Sequence, residues 1–383
     1  MDHSGFLFHR PQLAQQYVDS LEGRSIVDAR SGLFLAAPRR TGKTTFVRED
    51  LLPTLVERGF TPVYVDLWTD RAQDPALLIS GAIQAKLQEF STVIQKLAQR
   101  VGSAQVTLFG TIALGLTQPG LPSNLPLAEA LEALAIAAET PVALVIDEAQ
   151  HALSTDAGLN AMFALKAARD RLMGGESGPL LVLVLTGSNR DKLAHLVRNK
   201  SQPFFGASIT RFPLLEQNFV RAFTTHINRF LAADNQFSGE DLQEAFRLVG
   251  YRPELLQQLA AEIAVNGGAE QLRKDLQSGA HLLRQQIWKR MESEFTRLTV
   301  IQQAVLETLI EAGPGSNPFG EAFLQRCALK LGRTTAKLQM SSVQRAMDAL
   351  REKNLVWRAD WGEYVLEDES MADWHQGRRT PPE

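Results

Sequence analysis

A doubly wound parallel α/β sheet, followed by an all-helical segment and a small mixed module, is the architecture that three features of the sequence predict. Between Gly32 and Leu215, short apolar runs alternate with amphipathic stretches. Two of the runs, VALVIDEAQ (Val142–Gln150) and LLVLVLTGSN (Leu180–Asn189), are nearly continuous in Val, Leu and Ile, the composition of strands covered on both faces. After Leu215 the strand signal stops and returns only in the closing LVWRADWGEYVLED.

The first strand is GLFLAA, which runs into a glycine-lysine loop, and helical spacing follows from Lys43 to Arg58. TPVYVDLW (Thr61–Trp68) is the second strand and PALLISGAIQAKLQEF the second helix. The two Val/Leu/Ile runs are the third and fourth strands, and SITRFPL (Ser208–Leu214) is the fifth. Helices between successive strands imply right-handed crossovers. Val101 to Ala128 contains no charged residue, and Val106, Leu108, Gly110, Ile112, Leu114 and Leu116 alternate with Thr107, Phe109, Thr111, Ala113, Gly115 and Thr117. That period predicts an extra hairpin or edge strand, or a surface for a partner or a second subunit.

Helices are expected over Gln217–Leu231, Gly239–Leu248, Pro253–Val265 and Ala269–Glu294, then around Val300–Ala312, Gly320–Leu331 and Ser341–Asn354. A β-hairpin turning around Asp360–Gly362 closes this module, and the tail containing HQGRRTPPE has nothing to bury and is expected to be loose. The resulting division is residues 1–215, 216–294, 295–369 and 370–383.

With 383 residues, 44% hydrophobic and 22% charged, the chain has room for two or three domains of ordinary composition. A formal net charge of -3 excludes a wholly basic surface for coating nucleic acid, though not a local basic face. Cys327 is the single cysteine, which excludes a disulfide framework and a cysteine-rich zinc site and fits a cytoplasmic location. The first residues lack the pattern of a secretory signal, and no apolar run is long enough to span a membrane.

The stretch LFLAAPRRTGKTTFVRE (Leu33–Glu49) carries the chemistry. A phosphate-binding loop reads G-x-x-x-x-G-K-[ST], and here Ala37 replaces its first glycine. Pro38 biases Ala37 towards an extended backbone, where a Cβ fits, while Gly42 is kept where backbone meets phosphate. Pro38, Arg39, Arg40, Thr41, Gly42, Lys43, Thr44 and Thr45 therefore form a candidate ATP site at a helix N-terminus. Lys43 reaches the phosphate oxygens and Thr44 binds Mg²⁺. Such a site needs an acid at a neighbouring strand end, and VALVIDE supplies Asp147 for the metal and Glu148 to activate the attacking water. Thr186, Ser188 or Asn189 in TGSN could hydrogen-bond that water or the γ-phosphate, and Asn189 is the first choice.

The succession APRRTGKTT, VIDEAQ, LTGSN, NKSQPFFG and GYRPELL resembles the AAA+ ATPases, and within them the archaeal-type ATPases near the initiator-type and STAND proteins. The resemblance implies a sheet ordered 5-1-4-3-2, a helical lid, a C-terminal winged helix and hydrolysis of ATP coupled to motion or assembly. It places Phe8 and Arg10 near the adenine and Arg252 as a lid arginine on the γ-phosphate. Arg198 falls where a trans-acting arginine finger often lies in a homo-oligomer. Relatives often carry YGRR slightly later, where this chain reads FFGAS, so Arg190 and Lys200 stand as alternatives.

Ser341–Asn354 reads as a recognition-type helix capped by its serines, with Val343, Ala346, Met347 and Leu350 inward. Arg333, Lys337 and Arg345 are candidate contacts to double-stranded DNA. The module is nearly neutral, so a protein partner is the alternative occupant, as in a STAND-like switch with slow turnover. DEAQH alone does not make a helicase, because the helicase arginine and threonine motifs are missing.

Overall fold

The computed structural model describes residues 5–70, 72–100, 108–113, 125–173, 180–266, 271–332, 338–360 and 362–379. It divides into two compact units. The first holds His9–Ala37 and Lys43–Phe212; the second gathers the N-terminal residues through Phe8, Pro38–Gly42, and the chain from Pro213 onward.

In the first unit the apolar runs pair as β1 (Leu33–Ala36), β2 (Thr61–Asp66), β3 (Val142–Asp147), β4 (Leu181–Gly187) and β5 (Ile209–Arg211). They form one parallel sheet in the order β2-β3-β4-β1-β5, the expected 5-1-4-3-2 read from the other edge. Every residue of β3 and β4 is buried, so both faces are covered. Leu144, Ile146, Leu183 and Leu185 pack on one side, and Ala143, Val145, Val182 and Val184 on the other. Sandwiching by helices explains why these strands read as continuous apolar runs.

The helix after the glycine-lysine loop contains a wider turn. Helical Lys43–Phe46 passes through a π segment, Val47–Leu51, into Leu52–Glu57. Pro53 lacks the N–H that would bond the Glu49 carbonyl and crowds that carbonyl. The wider turn relieves this: Leu52 N–H bonds Val47 O, five residues back, and Thr54 Oγ1 donates to Asp50 O at 2.7 Å.

The strand expected within 101–128 is corrected where it is described. Residues 108–113 are helical, with Phe109 and Ile112 each 1% exposed in the core beside the sheet. Apolar residues at positions 108, 109, 112 and 113 make one helical face, which an alternating strand would split between two. Residues 101–107 and 114–124 lie outside the described residues.

In the second unit helices occupy Gln217–Asn228, Gly239–Leu248, Pro253–Asn266 and Leu272–Thr296. The expected domain boundary after Glu294 falls inside the last of these. Its Ile287, Met291 and Phe295, four residues apart, enter the same core as Val305, Leu309, Met347 and Trp374. Helices Val300–Ala312, Glu321–Lys330 and Met340–Glu352 precede the antiparallel hairpin of β6 (Val356–Asp360) and β7 (Glu363–Leu366). This is the winged-helix succession of elements. Helix Met340–Glu352 buries Val343, Ala346, Met347 and Leu350 as expected, but Gln339 holds its cap position and no side chain caps it. The serines lie inside the first turn instead.

The tail is also corrected. Ser370–Arg379 forms a helix that buries Met371, Trp374 and His375, and residues 380–383 lie outside the described residues. Trp374 is 2% exposed and meets Phe295 at 5.3 Å between ring centroids. Removing so large a buried ring leaves a cavity, so Trp374→Ala costs about 3–5 kcal/mol. Denaturant titration tests this, and an unchanged midpoint would show that the helix is not docked. Among the described residues, no helix is long and apolar enough to cross a membrane.

Candidate nucleotide site

Parallel α/β sheets place their functional residues at the carboxyl ends of the strands, and here the candidate residues lie at the ends of β1, β3 and β4. Ala37 extends β1 by one ladder bond, its N–H donating to Gly187 O at 3.2 Å, and its Cβ is fully buried. It is not among the residues with positive φ. The left-handed residues of the loop are Arg40 (φ 63°) and Gly42 (φ 84°). Hence the missing glycine costs nothing at Ala37, whereas Arg40 carries the roughly 1–2 kcal/mol of a left-handed residue with a Cβ. Around Gly42 an added Cβ would meet only Leu215 at 3.8 Å, so its backbone angle, not lack of space, demands glycine. Thr41 Oγ1 donates to Pro38 O at 2.8 Å and closes the loop on itself. Arg39, Arg40 and Thr45 are exposed and Pro38 half-buried.

Lys43 opens the following helix. Its ammonium donates to Asp147 Oδ1 and, at 2.6 Å, to Thr186 Oγ1. Thr44 Oγ1 donates to Asp147 Oδ2 at 2.7 Å, and the Thr186 hydroxyl donates to Oδ1. Lys43 is 5% exposed and Asp147 wholly buried. Burial pushes the Asp147 carboxyl up, but the Lys43 charge and the donors from Lys43, Thr186 and Thr44 outweigh it and hold the group below its ordinary value. On β2, Tyr64 OH lies 3.5 Å from Asp147 Oδ2, with the Arg48 guanidinium 5.2 Å from its ring centroid. Burial first, and then the neighbouring Asp147 charge, push the Tyr64 phenol up to about 12, against the Arg48 hydrogen bond. It stays a neutral donor.

Glu148 follows with φ 54°, a left-handed backbone outside glycine of the kind found at functional sites. Its Oε2 accepts from Gln150 Nε2, from Ser188 Oγ at 2.7 Å and from Ser188 N at 3.3 Å. Its Oε1 lies 3.5 Å from Lys43 Nζ. Lys43, Thr44, Asp147, Glu148, Thr186 and Ser188 are thus brought together. Asn189, the first choice in its motif, caps helix Arg190–Arg198 with its Oδ1, which accepts from Lys192 N at 2.9 Å. Gln150 and Tyr64 are residues that sequence reasoning missed.

The remaining candidates take other positions. Arg190 is fully buried, Arg198 is half-buried at its helix end and Lys200 is exposed. The Arg10 guanidinium lies 4.9 Å from the Phe212 ring centroid, and Phe8 meets Phe219 edge-on at 5.7 Å. Arg252 donates to Asp368 Oδ2 at 2.5 Å. Arg345 is exposed and bonds Ser341 O at 3.3 Å; Arg333 and Lys337 lie outside the described residues.

A hydroxyl and a carboxylate side by side, Thr44 and Asp147, are the hard oxygen donors that Mg²⁺ prefers. Among the described residues no cluster of three or more His, Cys, Asp and Glu could hold a metal alone. A magnesium ion sharing these two donors with phosphate and water oxygens fits that set.

No protein-family model matches the sequence, and no curated protein does. Solved structures match along the whole chain. A Walker-type ATPase of Pyrococcus abyssi is 16% identical with a TM-score of 0.56, over 97% of this chain and 96% of that one. The ORC2 protein of Aeropyrum pernix, in its ADP form, is 12% identical with a TM-score of 0.52, over 98% and 97%. The chain shares their fold, the one implied by the resemblance to archaeal-type AAA+ ATPases.

Proposed function

We propose that this chain binds ATP with magnesium, hydrolyses it, and couples the nucleotide state to its C-terminal module. The observation that carries the reading is the cluster of Lys43, Thr44, Asp147 and Glu148, joined by hydrogen bonds and the Lys43–Glu148 ion pair and built from a glycine-lysine loop and an adjacent strand end. The N–H groups where the loop enters its helix bind phosphate oxygens, and Lys43 adds a positive charge. Thr44 and Asp147 would hold a magnesium ion, which when bound neutralises charge building on the phosphates. Glu148 orients the attacking water and takes its proton. The ADP form of the Aeropyrum pernix relative supports nucleotide occupancy of this fold.

Coupling is supported inside the second unit. Pro38–Gly42 clusters with the helical and C-terminal residues, and Arg40 Nε lies 3.9 Å from Glu254 Oε2. Two residues before Glu254, Arg252 is paired with Asp368, which also accepts from Ser370 N at the start of the terminal helix. A γ-phosphate and Asp368 would compete for Arg252. A charge-assisted hydrogen bond contributes about 1.5–3 kcal/mol, so Arg252→Ala weakens ATP binding by roughly 10-fold or more. Asp368→Ala tightens ATP relative to ADP. Titration of both variants with both nucleotides checks this, and equal shifts for ATP and ADP would remove Arg252 from the γ-phosphate.

Double-stranded DNA is the first candidate for what the module holds, with Arg345 on its exposed face. ATPase rate measured with and without DNA, across protein concentration, tests DNA coupling and assembly together. Stimulation that fades steeply with salt supports a DNA-linked machine. If DNA changes neither rate nor mobility, the nucleotide switch with a protein partner is the better reading, favoured by the Arg252–Asp368 pair. A change of size between ADP and an ATP analogue marks that switch. Where activity rises with protein concentration, Arg198→Ala abolishes the rise if Arg198 acts in trans.

A further inference from the structure

Glu148 adopts its pose through a neighbour two residues on. Its left-handed backbone turns the chain directly into the 3-10 helix Ala149–Ser154, which brings the Gln150 amide back over the Glu148 carboxylate. Gln150 is 4% exposed, and its Nε2 donates to Glu148 Oε2. Among the described residues its Oε1 is buried without a hydrogen-bond partner. Turning the amide over would set that oxygen against the carboxylate, so the Glu148 charge fixes which end faces it. A buried amide oxygen left unpaired is a cost, and holding Glu148 is what the arrangement gains.

The slot for this side chain depends on Gly187 at the end of β4. A Cβ there would stand 2.5 Å from Gln150 Oε1 and 3.3 Å from Leu193 Cβ. Gly187 is not among the positive-φ glycines, so space rather than backbone angle calls for glycine. Three donors converge on Glu148 Oε2: the Gln150 amide, the Ser188 hydroxyl and the Ser188 N–H. Oε1 is turned instead towards Lys43 Nζ at 3.5 Å, on the side where phosphate chemistry takes place.

We propose that Gln150 is a positioning residue which, with Ser188, occupies Glu148 Oε2 and presents Oε1 as the oxygen that accepts the proton of the attacking water. This rests on the hydrolytic reading above. The water oxygen bonds the γ-phosphorus while the bond from that phosphorus to the β–γ bridging oxygen breaks. The bond's electron pair leaves with ADP, and the water proton passes to Oε1. Gln150 touches none of the reacting atoms; it acts through Glu148.

The test uses the full chain with magnesium and ATP, comparing wild type, Glu148→Gln, Gln150→Leu, Gly187→Ala and the Gln150→Leu/Gly187→Ala double variant. Loss of alignment at a reacting group costs on the order of 10- to 100-fold, so Gln150→Leu lowers kcat by that factor while KM stays within about twofold. Gly187→Ala displaces the same amide and gives the same split, and the double variant is no worse than either single one. Equal unfolding midpoints for wild type and Gln150→Leu separate positioning from loss of fold, and Gln150→Leu decides the matter alone if Gly187→Ala does not fold. An unchanged kcat in Gln150→Leu, or a fall in kcat matched by a rise in KM, overturns the proposal. A wild type without hydrolysis overturns the ATPase reading with it. An active wild type, an inactive Glu148→Gln and an unaltered Gln150→Leu overturn the positioning role alone.

Discussion

Lys43→Ala abolishes ATP binding and destabilises the protein by about 3–5 kcal/mol, the usual consequence of leaving one half of a buried ion pair behind. Lys43 and Asp147 are 5% and 0% exposed at their side chains, so water does not replace the lost ammonium. The sign of the pH dependence follows. In the wild type the Asp147 carboxyl lies below its ordinary value, so it contributes stability above the unfolded value, about 3.9, and loses it as pH falls through the lower folded value. Without Lys43 the downward pull of its charge and hydrogen bond is gone and burial dominates, so the carboxyl rises. The penalty of the substitution therefore shrinks on acidification, as Asp147 takes up a proton. Thr44, Thr186 and Tyr64, which also face Asp147, are neutral there. Denaturant midpoints of wild type and Lys43→Ala across acidic pH check the stability, and nucleotide titration below the unfolding midpoint checks the binding. A variant of wild-type stability that binds ATP normally would refute the assignment of Lys43.

The second large effect is on chemistry alone. Glu148→Gln keeps the shape of the side chain but removes the proton acceptor, so kcat falls about 10²- to 10⁴-fold while ATP still binds. The amide oxygen can accept from Gln150 Nε2 and Ser188 as the carboxylate does, so the surrounding packing is retained. Normal turnover in this variant would refute water activation by Glu148, whatever becomes of the binding site.

The parts of this account that were legible in the sequence are those with local causes. Continuous Val, Leu and Ile in β3 and β4 marked strands buried on both faces, and the carboxylates at the end of β3 marked the edge of the candidate site. Ala37 was readable as harmless because Pro38 restrains it to an extended backbone, and the positive φ angles indeed fall at Arg40 and Gly42. What was not legible depends on tertiary partners. Leu108 and Ile112 fit an alternating pattern as well as a helical one, but only a helix puts Phe109 and Ala113 on the same face, and packing beside the sheet selects it. The tail looked too polar to bury, yet Met371, Trp374 and His375 fall on one face that packs on helices far upstream. Gln150 was invisible for a sharper reason. Its return to Glu148 needs a left-handed glutamate and a glycine with room for an amide, and neither requirement is written in the residue types around DEAQ. Asn189 was preferred to Thr186 and Ser188 in its motif; the fold makes its Oδ1 a helix cap and turns Ser188 to the carboxylate, a difference that depends on where the helix begins.

The most direct test of the central claim, that the cluster of Lys43, Thr44, Asp147 and Glu148 is an ATP-hydrolysing site, is single-turnover phosphate release from magnesium-ATP. Bound nucleotide is measured in the same samples of wild type and Glu148→Gln. Both proteins should bind ATP and only the wild type should release phosphate. Equal release from the two, or a wild type that binds no nucleotide, would contradict the account.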